Sequence, residues 1–191
     1  MTKKQNEKIV YQGKIIEVLQ QEVKIGDTSR IFEFARRSPG VRLIIKNKKG
    51  NFLITKEYRR ELKNWDYRLP GGKVFDTLDE YNKALEMNLD LTQKAKEAAV
   101  KEAREEVGIL PKNIDLFLVS KAGATVVWDL FYFVINDFEK INQGQDLEVG
   151  ENISVIEVNP RELKELCFQG KMQEDRSVGV VLRYLYIDFV S

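Results

Sequence analysis

The segment between residues 93 and 108 constrains the possible folds of this chain more than any other. Small side chains recur there at every fourth position: Ala95, Ala99, Ala103 and Val107. On a helix, residues four apart lie on one face, so these side chains would form a continuous stripe. Such a stripe lets the helix come close to a sheet, and Gly108 supplies the residue type that commonly ends helices. We therefore predict a helix from about Gln93 to Val107 that packs closely on a sheet.

Three glutamates lie beside this stripe, at positions i, i+3 and i+4: Glu102, Glu105 and Glu106. Carboxylates this close repel one another, so the face is weakly unfavourable unless a cation binds to it. A bound divalent ion makes the clustered carboxylates favourable, because each is attracted to the ion. Carboxylate oxygens suit Mg²⁺ or Mn²⁺ better than zinc. The alternative is a solvated acidic face, because glutamate is a good helix former at surfaces.

The 191 residues include no histidine and one cysteine, Cys167. Ser-His-Asp and Cys-His catalysis, HExxH zinc sites and cysteine-rich zinc sites are therefore excluded. Catalysis would have to use carboxylates, Lys, Arg, Tyr, backbone groups or a hard metal ion held by oxygen. Because one cysteine cannot form an intrachain disulfide, we expect a reducing, cytoplasmic setting.

Charge and hydropathy give no sign of a nucleic-acid or lipid partner. The 31 Lys and Arg nearly balance the 30 Asp and Glu, which leaves a net charge of +1. We therefore expect neither nucleic acid nor an anionic membrane as a partner. No apolar run approaches the ~18 residues of a membrane span, and the basic N-terminus lacks the apolar stretch of a secretory signal.

The remaining pattern predicts strands, a helical segment, further strands and then helices. Strands are expected over 9–36, with a turn at Gly26-Asp27, and over 41–46, 51–59, 114–120, 125–135 and 153–158. Helices are expected over 77–107 in two pieces, from Pro160 to about Gly170, and from about Asp175 to Phe189. A polar loop is expected at 61–66 and a tight turn at 70–72. This order predicts an α+β or three-layer mixed fold.

Two segments of the chain together resemble the Nudix box: LPGGKV at 69–74 and EAAVKEAREEVGI at 97–109. That box is written G-x5-E-x7-R-E-U-x-E-E-x-G-U, with U aliphatic. Gly72 matches its glycine, and its second half is matched by Glu102, Ala103, Glu105, Glu106, Gly108 and Ile109. In Nudix hydrolases the box glutamates bind divalent cations that activate nucleoside diphosphates linked to another group. The resemblance implies Glu102 and Glu106 as principal metal ligands, Glu105 as a further ligand, and a close approach of Gly72 to the same metal.

The chain departs from the box at three points. Lys101 replaces the box arginine, which keeps a cation but loses the bidentate fork. Gln93 stands at the first box glutamate. About fifteen residues, roughly Phe75–Asp90, are inserted between Gly72 and Gln93. The inserted segment has the apolar spacing of an amphipathic helix, so we expect it to pack on the Nudix domain or on a partner subunit, near the mouth of the site. Glu80 and Glu86 are its candidates to replace the carboxylate absent at Gln93.

Two further segments resemble the ADP-ribose pyrophosphatase branch of the family: RRSPGV at 36–41 and EYRRELKNWDYRLPGGKV at 57–74. This resemblance implies a three-layer α/β/α sandwich with a mixed sheet at 39–191. It also implies a small N-terminal antiparallel subdomain at 1–38 that forms a homodimer. Arg59, which follows Tyr58 as in that branch, is a candidate diphosphate contact, and Arg36 and Arg37 are others. The alternative for each is an ordinary surface arginine.

A metal-activated water still needs a general base. In the branch the base comes from a loop before a late strand, and the loop at 144–152 offers Glu148 and Glu151. Glu105 is a third catalytic candidate. The alternative for the loop residues is that both are solvated acids.

The resemblance implies a Mg²⁺-dependent hydrolase, with Mn²⁺ as the other possible metal. It would split ADP-ribose or a related nucleoside diphosphate sugar into a nucleoside monophosphate and a sugar phosphate. The branch commonly carries a proline about fifteen residues past the box, and KAGATVVWD at 121–129 has none. A dinucleotide or a GDP-sugar therefore stays open as substrate. Lys101, Gln93 and the insertion also leave open a non-catalytic nucleotide-sensing module. Trp65 and Trp128 would either stack on a base or pack in the core or at an interface.

Overall fold

The computed structural model describes residues 7–60, 63–147 and 152–190. The N-terminal sheet begins with β1 (Glu7–Gln12), β2 (Glu17–Ile25) and β3 (Thr28–Arg36), which pair antiparallel in chain order. A short strand from later in the chain, β9 (Val126–Val127), then pairs parallel to β3. The predicted N-terminal antiparallel sheet is therefore confirmed, and it has an additional strand that local pattern did not reveal.

The central sheet is mixed and lies between two helical layers. It contains β4 (Gly40–Lys46), β5 (Phe52–Arg59), β6 (Asn64–Arg68), β8 (Asp115–Ser120), β10 (Leu130–Ile135) and β12 (Ile153–Val158). The order is β12-β5-β4-β10-β8, and β6 pairs with the same β5. The β10 strand runs parallel to β4, whereas the other pairs are antiparallel.

Alternate residues of the central strands pack on the two helical layers. Val41, Leu43, Phe131 and Phe133 pack on α2 (Leu91–Val107), whose buried stripe is Ala95, Ala99, Ala103 and Val107. The other face, with Ile44 and Tyr132, packs on α3 (Pro160–Phe168) and α4 (Asp175–Val190). The predicted three-layer α/β/α fold class is confirmed. None of the helices in the described part of the chain combines the length and apolarity needed to cross a bilayer.

Both ends of α2 follow from local residue chemistry. Asp90 accepts a hydrogen bond from the backbone N–H of Thr92 at 2.9 Å, which caps the first turn. Gly108 has φ of 70°, the left-handed conformation that suits a helix stop. The predicted start near Gln93 lies two residues inside the observed helix.

The inserted segment forms α1 (Leu78–Glu86), so the predicted amphipathic helix is present. Its Leu78, Tyr81 and Leu85 form a small apolar cluster with Phe75 and Leu91. Polar contacts join it to the N-terminal sheet, since Asn82 Nδ2 donates to Glu17 at 3.2 Å. The helix therefore packs on the molecule's own N-terminal sheet.

Three local predictions were wrong. The expected polar loop at 61–66 contains the start of β6, and the buried Asp66 there accepts a hydrogen bond from the Gln173 backbone at 3.1 Å. The expected tight turn at 70–72 is instead an extended segment along β4, where Leu43 N–H donates to the Pro70 carbonyl at 2.8 Å. The single strand expected over 125–135 is divided between β9 and β10, which join different sheets.

Two short strands, β7 (Ile109–Pro111) and β11 (Phe138–Lys140), pair with each other and were missed. Segments of three residues are too short to show a period-two pattern, so local sequence carried no signal for them.

Candidate active site

A cleft of about 370 Å³ opens beside β4, the extended segment at 70–72 and α2. The cationic residues that line it, among those described, are Arg37, Arg42, Arg59, Arg68, Lys73 and Lys101. The carboxylates that line it, again among those described, are Glu57, Asp76, Glu102, Glu105 and Glu106. A cleft with this lining can bind an anionic ligand and a cation together.

Close packing between α2 and the 70–72 segment positions the glutamates. The Gly71 backbone N–H donates to Glu106 Oε2 at 2.7 Å. A Cβ at Gly72 would overlap the carboxylate of Glu102, so glycine is what permits this approach. The Gly72 carbonyl accepts a hydrogen bond from Val41 N–H at 2.9 Å, which holds the segment against β4.

Lys101, at the position of the box arginine, lies next to a second glutamate of the cluster. Its Nζ is 3.6 Å from Glu105 Oε2. The charge of Glu105 raises the pKa of Lys101, and Asp76 and Glu102 contribute to the same shift. Lys101 is half-exposed and approaches Glu105 through a point charge, so it lacks the planar fork of an arginine.

The acidic cluster offers oxygen donors of the kind that a hard divalent cation requires. Among the described residues, no three carboxylate or thiol groups already meet closely enough to hold an ion. Glu106 is hydrogen-bonded to Gly71 and Glu105 faces Lys101, which offsets part of the repulsion between the carboxylates. Glu102, Glu105 and Glu106 nevertheless line one cleft, and this all-oxygen set fits Mg²⁺ or Mn²⁺.

A buried ion pair supports the arginine-rich part of the cleft. Arg42 Nε and Nη2 donate to the two oxygens of Glu174 at 2.8 Å each, and Arg42 Nη1 donates to the Val41 carbonyl at 2.8 Å. Ser177 Oγ donates to Glu174 at 2.5 Å and lies 3.1 Å from the Tyr132 hydroxyl. This network fixes Arg42 with most of its donors already used.

The carboxyl of Glu174 is strongly perturbed by these contacts. Burial alone would raise its pKa, but hydrogen bonding and charge from Arg42, with Ser177 and Arg68, lower the pKa to about 2. For Arg42, burial opposes the charged form, but the contact with Glu174 outweighs it and raises the pKa. Both groups are therefore charged at neutral pH.

Arg68 adds a second cation beside this pair. Its Nε lies 3.6 Å from Asp66 Oδ2, and its Nη2 lies 3.9 Å from Glu174. Burial and the neighbouring arginines Arg42 and Arg59 lower the pKa of Arg68. Burial raises the pKa of Asp66, despite its hydrogen bond from Gln173. An anionic ligand would relieve this crowding of cationic groups.

The structure brings two of the three predicted substrate arginines to the cleft. Arg59 lies there, 3.0 Å from Glu57. Arg37 also lines the cleft, and its Cζ lies 4.3 Å from the centroid of the Trp128 ring. Trp128 is a lining residue, whereas Trp65 packs edge-on against Tyr58 outside the cleft.

Arg36 is not brought to the cleft, which corrects its place among the candidate substrate contacts. Its Nε donates to Glu17 at 2.7 Å and its Nη1 to Glu7 at 3.3 Å, while Nη2 donates to Asn82 at 3.2 Å. Arg37 directly follows β3, and its N–H pairs with the Val127 carbonyl. Successive side chains along such a backbone point to opposite faces, so the side chains of Arg36 and Arg37 diverge. Arg36 holds the N-terminal sheet against α1.

Two of the base candidates, Glu148 and Glu151, lie outside the described residues. The described residues that flank them are attached to the end of α2. Gln145 Nε2 donates to the Glu106 carbonyl at 2.6 Å and to the Ile153 carbonyl at 3.2 Å. The Asp146 backbone N–H donates to the Glu105 carbonyl at 2.9 Å.

None of the candidates for the first box glutamate lines the cleft. Gln93 Nε2 donates to Glu97 at 3.2 Å on the exposed surface of α2. Glu80 accepts a hydrogen bond from the Asp76 backbone at 3.2 Å, and Glu86 is exposed. Asp76 itself is a lining residue that sequence reasoning missed.

Sequence reasoning also missed five other charged residues of this region: Arg42, Glu57, Arg68, Lys73 and Glu174. One signal was available for Arg42, which is the single charge between Val41 and Ile45 in an apolar strand. A charge in a strand buried on both faces needs a partner. Glu174 lies 132 residues away from it, so no local pattern identified that partner.

Comparison with known proteins gives a family match and a structural likeness. The family model of the NUDIX domain matches residues 36–175. A solved structure, "Crystal structure of ADP compounds hydrolase", superposes with a TM-score of 0.68 at 15% identity, covering 100% of this chain and 96% of that chain. Likeness at this identity is a likeness of fold. No curated protein matches the sequence significantly.

Proposed function

The chain belongs to the Nudix family of pyrophosphohydrolases, as its sequence predicts, and we propose that it cleaves the diphosphate of ADP-ribose or a related nucleoside diphosphate sugar in a Mg²⁺-dependent reaction. The products would be a nucleoside monophosphate and a sugar phosphate. One observation carries the proposal: a single cleft is lined both by Glu102, Glu105 and Glu106 and by several arginines.

Glu102 and Glu106 would be the principal ligands of the metal, with Glu105 as a further ligand and Gly72 allowing the backbone to approach it. Mg²⁺, or Mn²⁺ in its place, would supply Lewis-acid polarisation of phosphate oxygens and a lowered pKa for the attacking water. Gly71, by donating to Glu106, would hold this glutamate in place before the metal binds.

Arg37 and Arg59 would bind the diphosphate oxygens, since guanidinium groups donate paired hydrogen bonds to phosphate. Arg68 lies within the same cleft and adds positive charge there. Arg42 is committed to Glu174, so its role would be to hold the cleft wall. These groups would offset the charge that develops on the leaving phosphate.

The general base would be Glu148 or Glu151, with Glu105 as the third candidate. The attachment of Gln145 and Asp146 to the backbone of Glu106 and Glu105 supports this, because it brings the segment that precedes Glu148 to the acidic cluster. The base would take the proton of the attacking water.

The likeness to an ADP compounds hydrolase supports an ADP-containing substrate. A dinucleotide or a GDP-sugar is the second substrate candidate, because 121–129 lacks the proline of the ADP-ribose branch. One observation favours a non-catalytic nucleotide sensor: Gln93 stands in place of a box glutamate and its side chain is directed to Glu97.

We further propose that residues 1–38 form a dimerisation subdomain and residues 39–191 the catalytic domain, with the inserted segment at about 75–90. The β2–β3 hairpin exposes apolar side chains that a second copy of the chain would cover: Ile25, Ile31 and Phe32. A cytoplasmic location is supported by the single buried cysteine. A small-molecule substrate, with no nucleic-acid or membrane partner, agrees with the near-zero net charge.

The test is a hydrolysis panel of ADP-ribose, GDP-mannose and diadenosine polyphosphates, with Mg²⁺, with Mn²⁺ and with EDTA. We expect Mg²⁺-dependent release of AMP from ADP-ribose, and its loss in the double variant Glu102→Gln/Glu106→Gln. Glu97→Gln, on the exposed surface of the same helix, is the matched control and should retain activity. Binding of these nucleotides without turnover under any metal would contradict the enzyme and support the sensor.

A further inference from the structure

Arg37 differs from the other described arginines of the cleft in what holds its side chain. Arg42 pairs with Glu174 at 2.8 Å, Arg59 with Glu57 at 3.0 Å, and Arg68 with Asp66 at 3.6 Å. Among the described residues, no carboxylate lies within ion-pair distance of the Arg37 guanidinium, which lies instead over the Trp128 ring, 4.3 Å from its centroid.

The sheet register explains why these two residues meet. β3 and β9 run parallel, with Ala35 opposite Val126 and Arg36 opposite Val127. The Arg37 backbone N–H then donates to the Val127 carbonyl at 3.2 Å, so the next residue pair is Arg37 and Trp128. In a parallel pair, neighbouring side chains project to the same face.

A residue of the C-terminal helix α4 holds Trp128 in place. Arg176 of α4 lies with its Cζ 5.0 Å from the ring centroid. Its Nη2 donates to the carbonyls of Trp128 at 2.9 Å and of Ser120 at 2.6 Å, while its Nε donates to Ser120 Oγ at 3.2 Å. The indole is therefore fixed by contacts to its backbone and to its ring.

We propose that Trp128 is a positioning residue that holds the Arg37 guanidinium ready for the diphosphate of the substrate; this inference rests on the proposed function. A carboxylate partner would neutralise the guanidinium and occupy its N–H donors. A ring face orients the cation through its quadrupole and leaves the donors at the guanidinium edge for phosphate oxygens. Arg37 would then be the cleft arginine with the most donors to offer.

The electrostatics of the cleft agree with this role. Burial, together with the charge of Arg42, lowers the pKa of Arg37, so the charged guanidinium is destabilised in the absence of an anion. A diphosphate would supply the missing negative charge. If Trp128 instead stacked on a base, Arg37 would have to leave the ring face over which it lies.

The test uses Trp128→Leu, Trp128→Phe and Arg37→Ala, with Trp65→Leu as the matched control outside the cleft. Binding of inorganic pyrophosphate in EDTA is measured by calorimetry, so no turnover is needed. We expect Trp128→Leu to weaken this binding about tenfold, Trp128→Phe to restore most of it, and Trp65→Leu to leave it unchanged. Adding Trp128→Leu to Arg37→Ala should cause no further loss.

Steady-state kinetics with ADP-ribose gives a second reading. We expect Trp128→Leu to raise KM more than it lowers kcat, with an unchanged Mg²⁺ requirement.

Unchanged pyrophosphate binding in both Trp128 variants, or losses that add to those of Arg37→Ala, would overturn the proposal. Weaker binding of adenosine with normal pyrophosphate binding would overturn it in favour of base stacking. Absence of hydrolysis by the wild type would contradict the proposed function alone, because pyrophosphate binding would still report on Trp128.

Discussion

The acidic end of the cleft depends on single atoms of two glycines. The Gly71 N–H holds Glu106, and the absence of a Cβ at Gly72 leaves room for Glu102. A Cβ at Gly72 would overlap the Glu102 carboxylate, and a Cβ at Gly71 would overlap the Val41 backbone of β4. The glutamates therefore take their positions from the backbone that faces them as much as from their own helix.

At this scale we predict that Glu106→Gln lowers metal-dependent hydrolysis at least about 100-fold, since even outer-shell partners of metal ligands account for 10–100-fold. Fold stability should be unchanged or slightly raised, because the change removes repulsion from Glu102 and Glu105. The glutamine carbonyl can still accept the hydrogen bond from Gly71. Turnover across a Mg²⁺ titration and thermal unfolding measure the two effects.

Glu97→Gln is the control for that prediction, because Glu97 lies on the same helix but away from the cleft. Near-wild-type hydrolysis by Glu106→Gln at limiting Mg²⁺ would show that the metal is held elsewhere.

At the scale of elements, α1 and the residues just before it join the candidate active-site cleft to the N-terminal sheet. Asp76, two residues before the start of α1, lines the cleft, while Asn82 of the helix bonds to both members of the buried Arg36–Glu17 pair. The inserted segment therefore contacts both the cleft and the N-terminal sheet.

We predict that Asn82→Ala destabilises the protein by about 1–3 kcal/mol, since it removes partners from buried charged groups. The higher helix propensity of alanine offsets part of this loss. Urea unfolding measures the change in the free energy of unfolding. The control is Lys83→Ala, on the exposed face of the same helix, which should change that free energy by less than about 0.5 kcal/mol. Equal stabilities of the two variants would mean that Asn82 does not anchor the sheet.

At the scale of the whole molecule, the Arg42–Glu174 pair joins a central strand to the start of the last helix. Glu174 has its pKa lowered from 4.5 to about 2 in the folded state. A carboxyl with a lowered pKa stabilises the folded state above its unfolded pKa, and this contribution is lost as pH falls from about 4.5 towards 2.

We therefore predict that Glu174→Gln destabilises the protein at pH 7 by about 3–5 kcal/mol, because Arg42 is left buried without its counter-charge. The difference from wild type should shrink as pH falls below about 4.5. Urea unfolding at several pH values tests this, with the exposed Glu165→Gln on α3 as control. A difference that stays constant down to pH 3 would contradict the role of the charge.

The oligomeric state is also a property of the whole molecule. Ile31 is 65% exposed and Phe32 48% exposed on the β2–β3 hairpin, which favours association through this arm. We predict that Ile31→Lys converts a homodimer into a 22.2 kDa monomer in light scattering. Tyr186→Lys, at an apolar side chain 70% exposed on α4, should leave the dimer intact. A wild-type monomer would contradict the proposal.

The sequence by itself determined the parts of this protein that depend on neighbours along the chain. The limits of α2 follow from Asp90, a four-residue repeat and Gly108, and helical geometry alone places Glu102, Glu105 and Glu106 on one face. The predicted helix in the inserted segment was present for the same reason. Periodicity and capping are local effects, and they can be inferred without knowledge of the fold.

Tertiary structure decided which distant groups share the cleft. Arg36 and Arg37 are adjacent and chemically alike, yet the backbone pleat at the end of β3 directs Arg36 to Glu17 and Arg37 to the cleft. The partner of Arg42 lies 132 residues away along the chain. Trp128 reaches Arg37 because β9 pairs with β3 of the N-terminal sheet, whereas the following β10 belongs to the central sheet. These contacts depend on strand pairing and layer packing, whose energies are summed over the whole core, so no local pattern specifies them.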